Sequence, residues 1–148
     1  MLPLLSGTRI LDFTTIVLGP YATRTLGDLG ADVIKVEPPQ GDLFRTVRPG
    51  RSRTMGAGYL GFNRNKRSLG LDLKQPASRD VLDRLVKGAD VVVHNMRPKS
   101  AAPLGLEYAR LAGLRPGLIY AFAAGYDQRG PTATEPAYDD VIQAAANA

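Results

Sequence analysis

Cysteine and tryptophan are absent from the sequence, and His94 is its only histidine. Without cysteine the chain can form no disulfide and no thiolate site, and one histidine excludes a multi-histidine metal site within one copy. No apolar run approaches the ~20 residues of a membrane-spanning helix, and the N-terminal residues lack the basic start and long apolar core of a signal peptide. We therefore expect a cytoplasmic protein with no metal ion and no membrane partner.

The charged residues are biased towards one sign and one part of the chain. The formal net charge is +5 and the pI about 9.7, which indicates an anionic partner. A long segment rich in glycine and proline, residues 37–67, is predicted to be a loop with one short helical turn near Tyr59. Arginine side chains bind phosphate groups well, through paired hydrogen bonds. The segment has few aromatic residues and no nucleic-acid-binding motif. We therefore favour a phosphate-bearing small molecule over nucleic acid, with a solvated basic loop as the alternative. The basic residues of this segment are Arg45, Arg48, Arg51, Arg53, Arg64, Lys66 and Arg67.

Residues 9–37 predict a strand, a tight turn, a helix and a second strand. The first strand starts near Ile10, and Pro20 suits the beginning of a helix because it lacks only a donor that the first turn leaves unpaired. Gly30 follows the helix, where a positive φ is common. The turn between the first strand and the helix is the usual place for a ligand in such a βαβ unit. The helix is expected to bury the apolar stripe Ala22, Leu26 and Leu29.

The remainder of the chain continues the alternation of strands and helices. Strands are predicted at residues 68–73, 90–94 and 118–123, and helices at residues 76–87, 106–111 and from 137 onwards. This alternation predicts an α/β fold, a Rossmann-like doubly wound sheet that is mostly parallel.

The residue spacing predicts no catalytic constellation. The sequence contains no G-x-G-x-x-G, no P-loop and no G-x-S-x-G motif. His94 follows three valines, so we expect it to end a buried strand rather than act as a base. Adjacent carboxylates on a helix point about 100° apart, so Asp139 and Asp140 are expected to form a solvated helix start.

Several motifs, in order, carry a resemblance that spans essentially the whole chain. They are L-S-G-T-R-I-L-D-F-T, G-P-Y-A-T, L-G-D-L-G-A-D-V-I-K-V-E-P-P-Q-G-D-L-F-R, N-R-N-K-R-S-L-G-L-D-L-K, A-D-V-V-V-H-N-M-R-P and P-A-Y-D-D-V-I-Q. The sequence resembles the family III coenzyme A transferases (CaiB/BaiF), which include formyl-CoA transferase and α-methylacyl-CoA racemase. The resemblance implies that residues 1–148 are the N-terminal coenzyme A-binding part of the large domain of a longer enzyme. A smaller domain and a C-terminal return segment are expected elsewhere in that enzyme, which would form an interlocked homodimer.

The resemblance also implies roles for residues of this chain. Three segments are expected to bind coenzyme A or acyl-CoA, the substrate. The loop after the first strand would lie near the thioester, a second segment would meet the adenosine phosphate, and a third would contact pantetheine and phosphates. These residues are Ile16, Val17 and Leu18; Leu71, Asp72, Leu73 and Lys74; Asn95, Met96 and Arg97.

Two further residues, Ala137 and Tyr138, are also expected to bind coenzyme A. Tyr138 is expected beside the reaction centre, where transferases carry a tyrosine and racemases a histidine. Three positions depart from the family pattern: Val17 replaces a glutamine of formyl-CoA transferase, and Pro38 and Pro103 replace basic residues.

The resemblance places the nucleophile outside this sequence. In such transferases an aspartate attacks the acyl-CoA thioester, an aspartyl-CoA thioester follows, and a carboxylic acid acceptor completes the exchange. That aspartate is expected beyond Ala148, so the 148 residues alone would be inactive. A racemase-like enzyme, a noncatalytic acyl-CoA-binding module and a nucleic-acid-binding domain are the alternatives.

Overall fold

A computed structural model describes residues 3–146 of the chain. The strands are β1 (Arg9–Asp12), β2 (Asp32–Glu37), β3 (Lys66–Gly70), β4 (Val91–His94) and β5 (Ile119–Phe122). The helices are α1 (Leu18–Asp28), α2 (Ala57–Asn63), α3 (Ser78–Lys87), α4 (Pro98–Ala101), α5 (Tyr108–Leu114) and α6 (Asp139–Ala146). Single 3₁₀ turns cover Leu43–Thr46 and Ala102–Leu104. Among these helices none is both long and apolar enough to span a membrane.

The five strands form one parallel sheet in the order β3-β2-β1-β4-β5. This order confirms the predicted doubly wound α/β fold. The chain proceeds from β1 outwards to β3 and then returns to the other side of β1 to add β4 and β5. The order therefore reverses between β1 and β4, and in open α/β sheets ligands bind at the carboxyl ends of the strands at such a reversal.

Helices cover the two faces of the sheet. Successive strand residues point to opposite sides, so the strands supply apolar side chains to both faces. On one face Leu11, Ile34 and Val92 pack with residues of α3 and α5 such as Leu82 and Leu111. On the other face the cluster is smaller and consists of Ile10, Ala31 and Val33 with partly buried neighbours, including Leu26 of α1. Alternation from Ile10 to Leu11 and from Val33 to Ile34 explains why β1 and β2 contribute to both clusters.

The buried stripe predicted for α1 is wrong. Ala22 is exposed and Leu29 is only half buried, and the buried residues of α1 are Gly19, Pro20, Thr23 and Gly27. The physical reason lies in the sheet below: past Ile10 and Val33, the same face of the sheet carries Asp12 and Lys35, both buried. A helix above buried charges packs with small or hydrogen-bonding residues rather than with large apolar ones. The helix also begins two residues before Pro20.

Residues 37–67 contain more regular structure than predicted. The predicted helical turn near Tyr59 is the two-turn helix α2, and a 3₁₀ turn precedes it. The third strand begins at Lys66, two residues before the predicted start, and it ends at Gly70. Leu71 and Leu73 therefore lie beyond the strand, where they pack against the larger cluster. The helix predicted at residues 106–111 is α5, which begins two residues later at Tyr108.

Candidate functional site at the carboxyl edge of the sheet

Two loops meet where the strand order reverses, one after β1 and one after β4. The Asn95 side chain joins them: its Oδ1 accepts the Thr15 N–H at 3.0 Å, and its Nδ2 donates to the Thr15 carbonyl at 3.1 Å. These two hydrogen bonds use both the acceptor and the donor of the Asn95 amide, and both the N–H and the carbonyl of Thr15. The predicted segments 16–18 and 95–97 are thus held side by side at one edge of the sheet.

The loop after β1 has an unusual backbone. Ile16 has a φ of 72°, which a β-branched residue rarely adopts. Its N–H donates to Asp42 Oδ1 at 3.3 Å, and the same oxygen accepts the Phe44 N–H at 2.9 Å, which caps the 3₁₀ turn. Asp42 is 1% exposed, and its Oδ2 lies 2.9 Å from Lys35 Nζ. Asp42 therefore holds the conformation of Ile16 from a second loop, the one after β2.

The two residues after Ile16 present apolar side chains to the outside. Val17 is 40% exposed and Leu18 68% exposed. No side chain caps the start of α1 at Val17. The segment therefore combines a fixed backbone with exposed apolar groups.

A buried ionic network supports this loop from below. Asp12 accepts the Thr14 N–H at 2.9 Å, the Thr23 hydroxyl at 2.7 Å and Lys66 Nζ at 2.9 Å. Lys35 Nζ donates to the Thr14 carbonyl at 2.8 Å. Burial alone would raise the pKa of Asp12, but the charges of Lys66 and Lys35 and these hydrogen bonds outweigh it, so the pKa lies below its usual value. Asp12 therefore stays ionised and the network is electrically balanced.

The end of β2 carries another buried carboxylate, Glu37. Arg45 forms two hydrogen bonds to it, at 2.8 and 2.6 Å, and the Ser68 hydroxyl and Tyr59 hydroxyl donate at 2.7 and 3.1 Å. Burial alone would raise the pKa of Glu37, but Arg45, the Ser68 hydroxyl and the Asp42 N–H lower it to about 2. The Arg45 guanidinium also lies 3.9 Å from the centre of the Tyr59 ring. Glu37 thus anchors the segment 42–59 to the sheet.

The predicted segment of Leu71, Asp72, Leu73 and Lys74 lies at the same edge but at the end of the outermost strand, β3. The Leu71 N–H donates to the Glu37 carbonyl at 2.8 Å. Asp72 accepts the Lys74 N–H at 3.1 Å and so closes its own turn. The structure therefore places this segment two strands away from β1, with Lys74 exposed.

The segment before α6, which carries the predicted residues Ala137 and Tyr138, contacts the loop after β4 through Thr134. Arg97 Nη1 donates to the Thr134 carbonyl at 3.2 Å, which ties that loop to the segment before α6. A side chain at Gly125, just after β5, would overlap Ala137. Tyr138 precedes α6 and is 61% exposed. The segment that carries Tyr138 is therefore packed at the carboxyl edge.

Two expectations about single residues are confirmed. His94 ends β4 and is 2% exposed. Asp139 and Asp140 are exposed in the first turn of α6. The end of a buried strand at His94 and the solvated helix start at Asp139 and Asp140 are therefore as the sequence predicted.

The basic residues of segment 37–67 separate into two groups. Arg45, Arg64, Lys66 and Arg67 form ion pairs, respectively with Glu37, Asp28, Asp12 and Asp32. Arg48, Arg51 and Arg53 are exposed, and no acidic side chain within residues 3–146 pairs with them. Phosphate binding by this loop stays a prediction, and it now rests on three arginines rather than on the whole set.

Sequence reasoning missed the residues that support the site, namely Thr15, Asp42, Lys35 and Lys66. Only Asp42 had a local signal, since aspartate before a helical turn is a common cap. No group of three or more metal-ligating side chains occurs in the part of the chain that the structure describes.

Comparisons with known proteins agree with this architecture. Residues 5–147 match the family model described as CoA-transferase family III. Succinyl-CoA:glutarate CoA-transferase from Homo sapiens is 41% identical over 141 residues, which cover 95% of this chain and 32% of that protein. Acetyl-CoA:oxalate CoA-transferase from Acetobacter aceti is 42% identical over 142 residues, which cover 93% of this chain and 36% of that protein.

A solved structure shows the same fold. The CAIB/BAIF family protein from Brucella suis superimposes with a TM-score of 0.90 at 38% identity, over 97% of this chain and 39% of that one. The chain thus spans about a third of the length of the relatives that it matches. Because the family model matches nearly all of the described residues, the chain belongs to CoA-transferase family III.

Proposed function

We propose that the protein moves coenzyme A from an acyl-CoA donor to a carboxylic acid acceptor, and that residues 1–148 form its coenzyme-binding N-terminal part. The observation that carries this proposal is the reciprocal Asn95–Thr15 pair, because it holds two of the predicted coenzyme-binding segments together at the reversal of strand order. Family membership supports the reaction class.

In this proposal each loop has a role that fits its geometry. The exposed Val17 and Leu18 contact the acyl end of the ligand, with Ile16 held in place by Asp42. Backbone groups of residues 95–97 contact the pantetheine arm, and the segment that ends at Lys74 binds the phosphate end. Ala137 and Tyr138 also contact coenzyme A, and Tyr138 lies beside the reacting thioester. The nucleophilic aspartate, which carries coenzyme A as an aspartyl thioester, lies in sequence that follows residue 148.

Transfer is favoured over racemisation. The family resemblance places Tyr138 where the racemase branch has a histidine, and the relatives from Homo sapiens and Acetobacter aceti are named as CoA-transferases that act on glutarate and oxalate. For the complete protein we propose the interlocked homodimer of the family. Dicarboxylic acids such as glutarate and oxalate are the first acceptors to test.

Binding of coenzyme A to this chain is tested by calorimetry. We expect saturable binding by the unmodified chain and a loss of about fivefold or more in Asn95→Ala, because both hydrogen bonds to Thr15 that join the loops are removed. Gln143→Ala is the matched control: it removes an exposed amide on α6 whose hydrogen bond stays within that helix. Equal affinities of the two variants would contradict the assigned site.

The reaction is tested with the complete protein, by following transfer of coenzyme A from succinyl-CoA to isotope-labelled glutarate. Exchange supports the proposal. Inversion at the α-carbon of a branched acyl-CoA without exchange would assign the protein to the racemase branch instead. Salt-sensitive binding of duplex DNA without coenzyme binding would replace the proposal by a nucleic-acid-binding role.

A further inference from the structure

A chain of hydrogen bonds runs through His94, the last residue of β4. Its Nδ1 accepts the Met96 N–H at 3.2 Å, and its Nε2 lies 2.5 Å from the Tyr120 hydroxyl. The Tyr120 hydroxyl in turn lies 2.6 Å from the Leu106 carbonyl. A carbonyl only accepts, so the single hydroxyl proton of Tyr120 goes to Leu106, and the hydroxyl must accept from His94 Nε2–H. His94 is therefore neutral, with a proton on Nε2 and a lone pair on Nδ1.

The surroundings of His94 favour the neutral ring. Phe122 stacks on it at 4.8 Å and Tyr120 meets it edge-on at 5.2 Å. A cavity of about 240 Å³ adjoins the ring, and Glu107 is the charged residue that lines it, together with Tyr108. Burial lowers the pKa of His94 below its usual value, and burial, assisted by Glu107, raises the pKa of Tyr120.

The lone pair of Nδ1 matters because of the backbone group that it holds. The Met96 N–H lies between Asn95, which clamps Thr15, and Arg97, which bonds to the Thr134 carbonyl. A proton on Nδ1 would point at this N–H, so two donors would face each other. Protonated His94 therefore cannot make the contact that the neutral ring makes.

We infer that His94 is a positioning residue. Its neutral ring accepts the Met96 N–H and so keeps Asn95 hydrogen-bonded to Thr15. Protonation of the ring removes this contact and loosens the loops after β1 and β4 together. The effect on the ligand rests on the proposed coenzyme site, but the effect on the loops does not. Because the folded protein disfavours the extra proton, the loops are ordered above the usual histidine range and loosen as the pH falls below it. Coenzyme affinity should fall in the same direction.

A histidine that only fills the core would not make loop order and coenzyme affinity depend on its protonation. A substitution by asparagine separates this positioning role from a role in core packing. In His94→Asn the side-chain oxygen can accept the Met96 N–H in place of Nδ1 and does not titrate. Between about pH 7.5 and about pH 5 we expect the unmodified chain to lose about fivefold more affinity for coenzyme A than His94→Asn does, the equivalent of one hydrogen bond. The variant also corrects for titration of the ligand's own phosphates. Tyr120→Phe should keep the pH dependence, since it leaves Nδ1 in place.

Nuclear magnetic resonance decides the inference even if coenzyme A does not bind. His94 is the only histidine of the chain, so its ring nitrogens are identified without ambiguity. We expect a proton on Nε2 at neutral pH, and Met96 and Thr15 amide shifts that titrate with the same midpoint as the ring. A proton on Nδ1, or a Thr15 amide that ignores the ring titration, would overturn the inference. Absence of coenzyme binding at every pH, with the amide titration intact, would refute the proposed function and leave the inference standing.

Discussion

At the scale of single residues, the chain keeps its buried charges in matched sets. Lys66 is paired with Asp12, Lys35 with Asp42, and Arg45 with Glu37. Removing one member of a buried pair leaves an uncompensated charge, which costs more than the pair contributes. These pairs lie beneath or beside the loops of the candidate site. Their loss should therefore alter the conformation of those loops as well as lower the free energy of unfolding.

Lys66→Met should be strongly destabilising. Lys66 Nζ donates to Asp12, to the Pro20 carbonyl and to Asn63 at 2.9 Å each, and its loss leaves Asp12 buried without its nearest cation. We expect a loss of about 3–5 kcal/mol in the free energy of unfolding, measured by urea denaturation. The exposed Lys99→Met should change little. Addition of Asp12→Asn to Lys66→Met should restore part of the loss, and a double variant as unstable as the single one would contradict the pairing.

Glu37→Gln should change both stability and its pH dependence. The pKa of Glu37 is lowered from 4.5 to about 2, so between these values the unfolded chain binds a proton that the folded chain does not. Stability from Glu37 is therefore present above pH 4.5 and lost as the pH falls towards 2. The glutamine variant should lose about 2 kcal/mol in the free energy of unfolding at neutral pH. In thermal unfolding experiments, its stability should decrease less than that of the unmodified chain as the pH is lowered into the acid range. Asp127→Asn, in an exposed pair with Arg129, is the control; an equal change in both variants would exclude the role of Glu37.

At the scale of elements, α1 is shaped by the polar part of the sheet that it covers. A side chain at Gly19 would overlap the side chain of Thr14, which is 1% exposed and hydrogen-bonded to Asp12. Only glycine therefore lets the start of α1 approach the loop after β1 this closely. The face of α1 that packs on the sheet therefore consists of small residues because of the ionic network beneath it, and not because of helix propensity.

Gly19→Ala should destabilise the protein and weaken coenzyme binding together. The added methyl group must displace Thr14 or the helix, with a cost of about 1–3 kcal/mol, and Val17 and Leu18 move with the helix start. Gly61→Ala in α2 is the matched control, because a side chain there meets no atom within 4 Å and alanine favours a helix by up to about 1 kcal/mol. Denaturation and calorimetry of both variants test this, and a Gly19→Ala protein as stable as Gly61→Ala would disprove the close approach.

At the scale of the whole molecule, apolar side chains remain on the surface of the described residues. Among the most exposed are Leu18 at 68%, Leu43 at 67%, Ile119 at 62% and Tyr138 at 61%. Every residue of α6 except the half-buried Ile142 is exposed. Where such side chains lie next to one another, the apolar surface that they form is typical of protein contacts.

We therefore expect the 148-residue chain to associate with itself weakly. The weight-average sedimentation coefficient should rise with protein concentration, and the rise should diminish in Leu43→Ser, which removes an exposed apolar side chain outside the buried clusters. Arg53→Ser is the matched control, since it alters an exposed side chain of the same loop without removing apolar surface. A monodisperse monomer at high concentration would contradict the prediction.

The sequence alone determined the fold class, because alternating strands and helices punctuated by glycine and proline are local patterns. Gly30, for example, was expected to adopt a positive φ at the end of α1, and it does so at 102°. The ordered motifs also identified the family, which the family model confirms. The site residues carried over from the resemblance stay predictions.

Only the tertiary structure decided how those loops are held, because the contacts join distant parts of the chain. Asn95 reaches Thr15 across 80 positions, and Asp42 reaches Ile16 across 26. No local pattern marks the side chains of Lys35 and Lys66 as buried, yet both are, because the loop after β2 brings Asp42 to Lys35 and the parallel sheet brings Asp12 to Lys66. Local patterns follow from neighbouring residues, whereas burial of a charge depends on where its partner is placed by the fold.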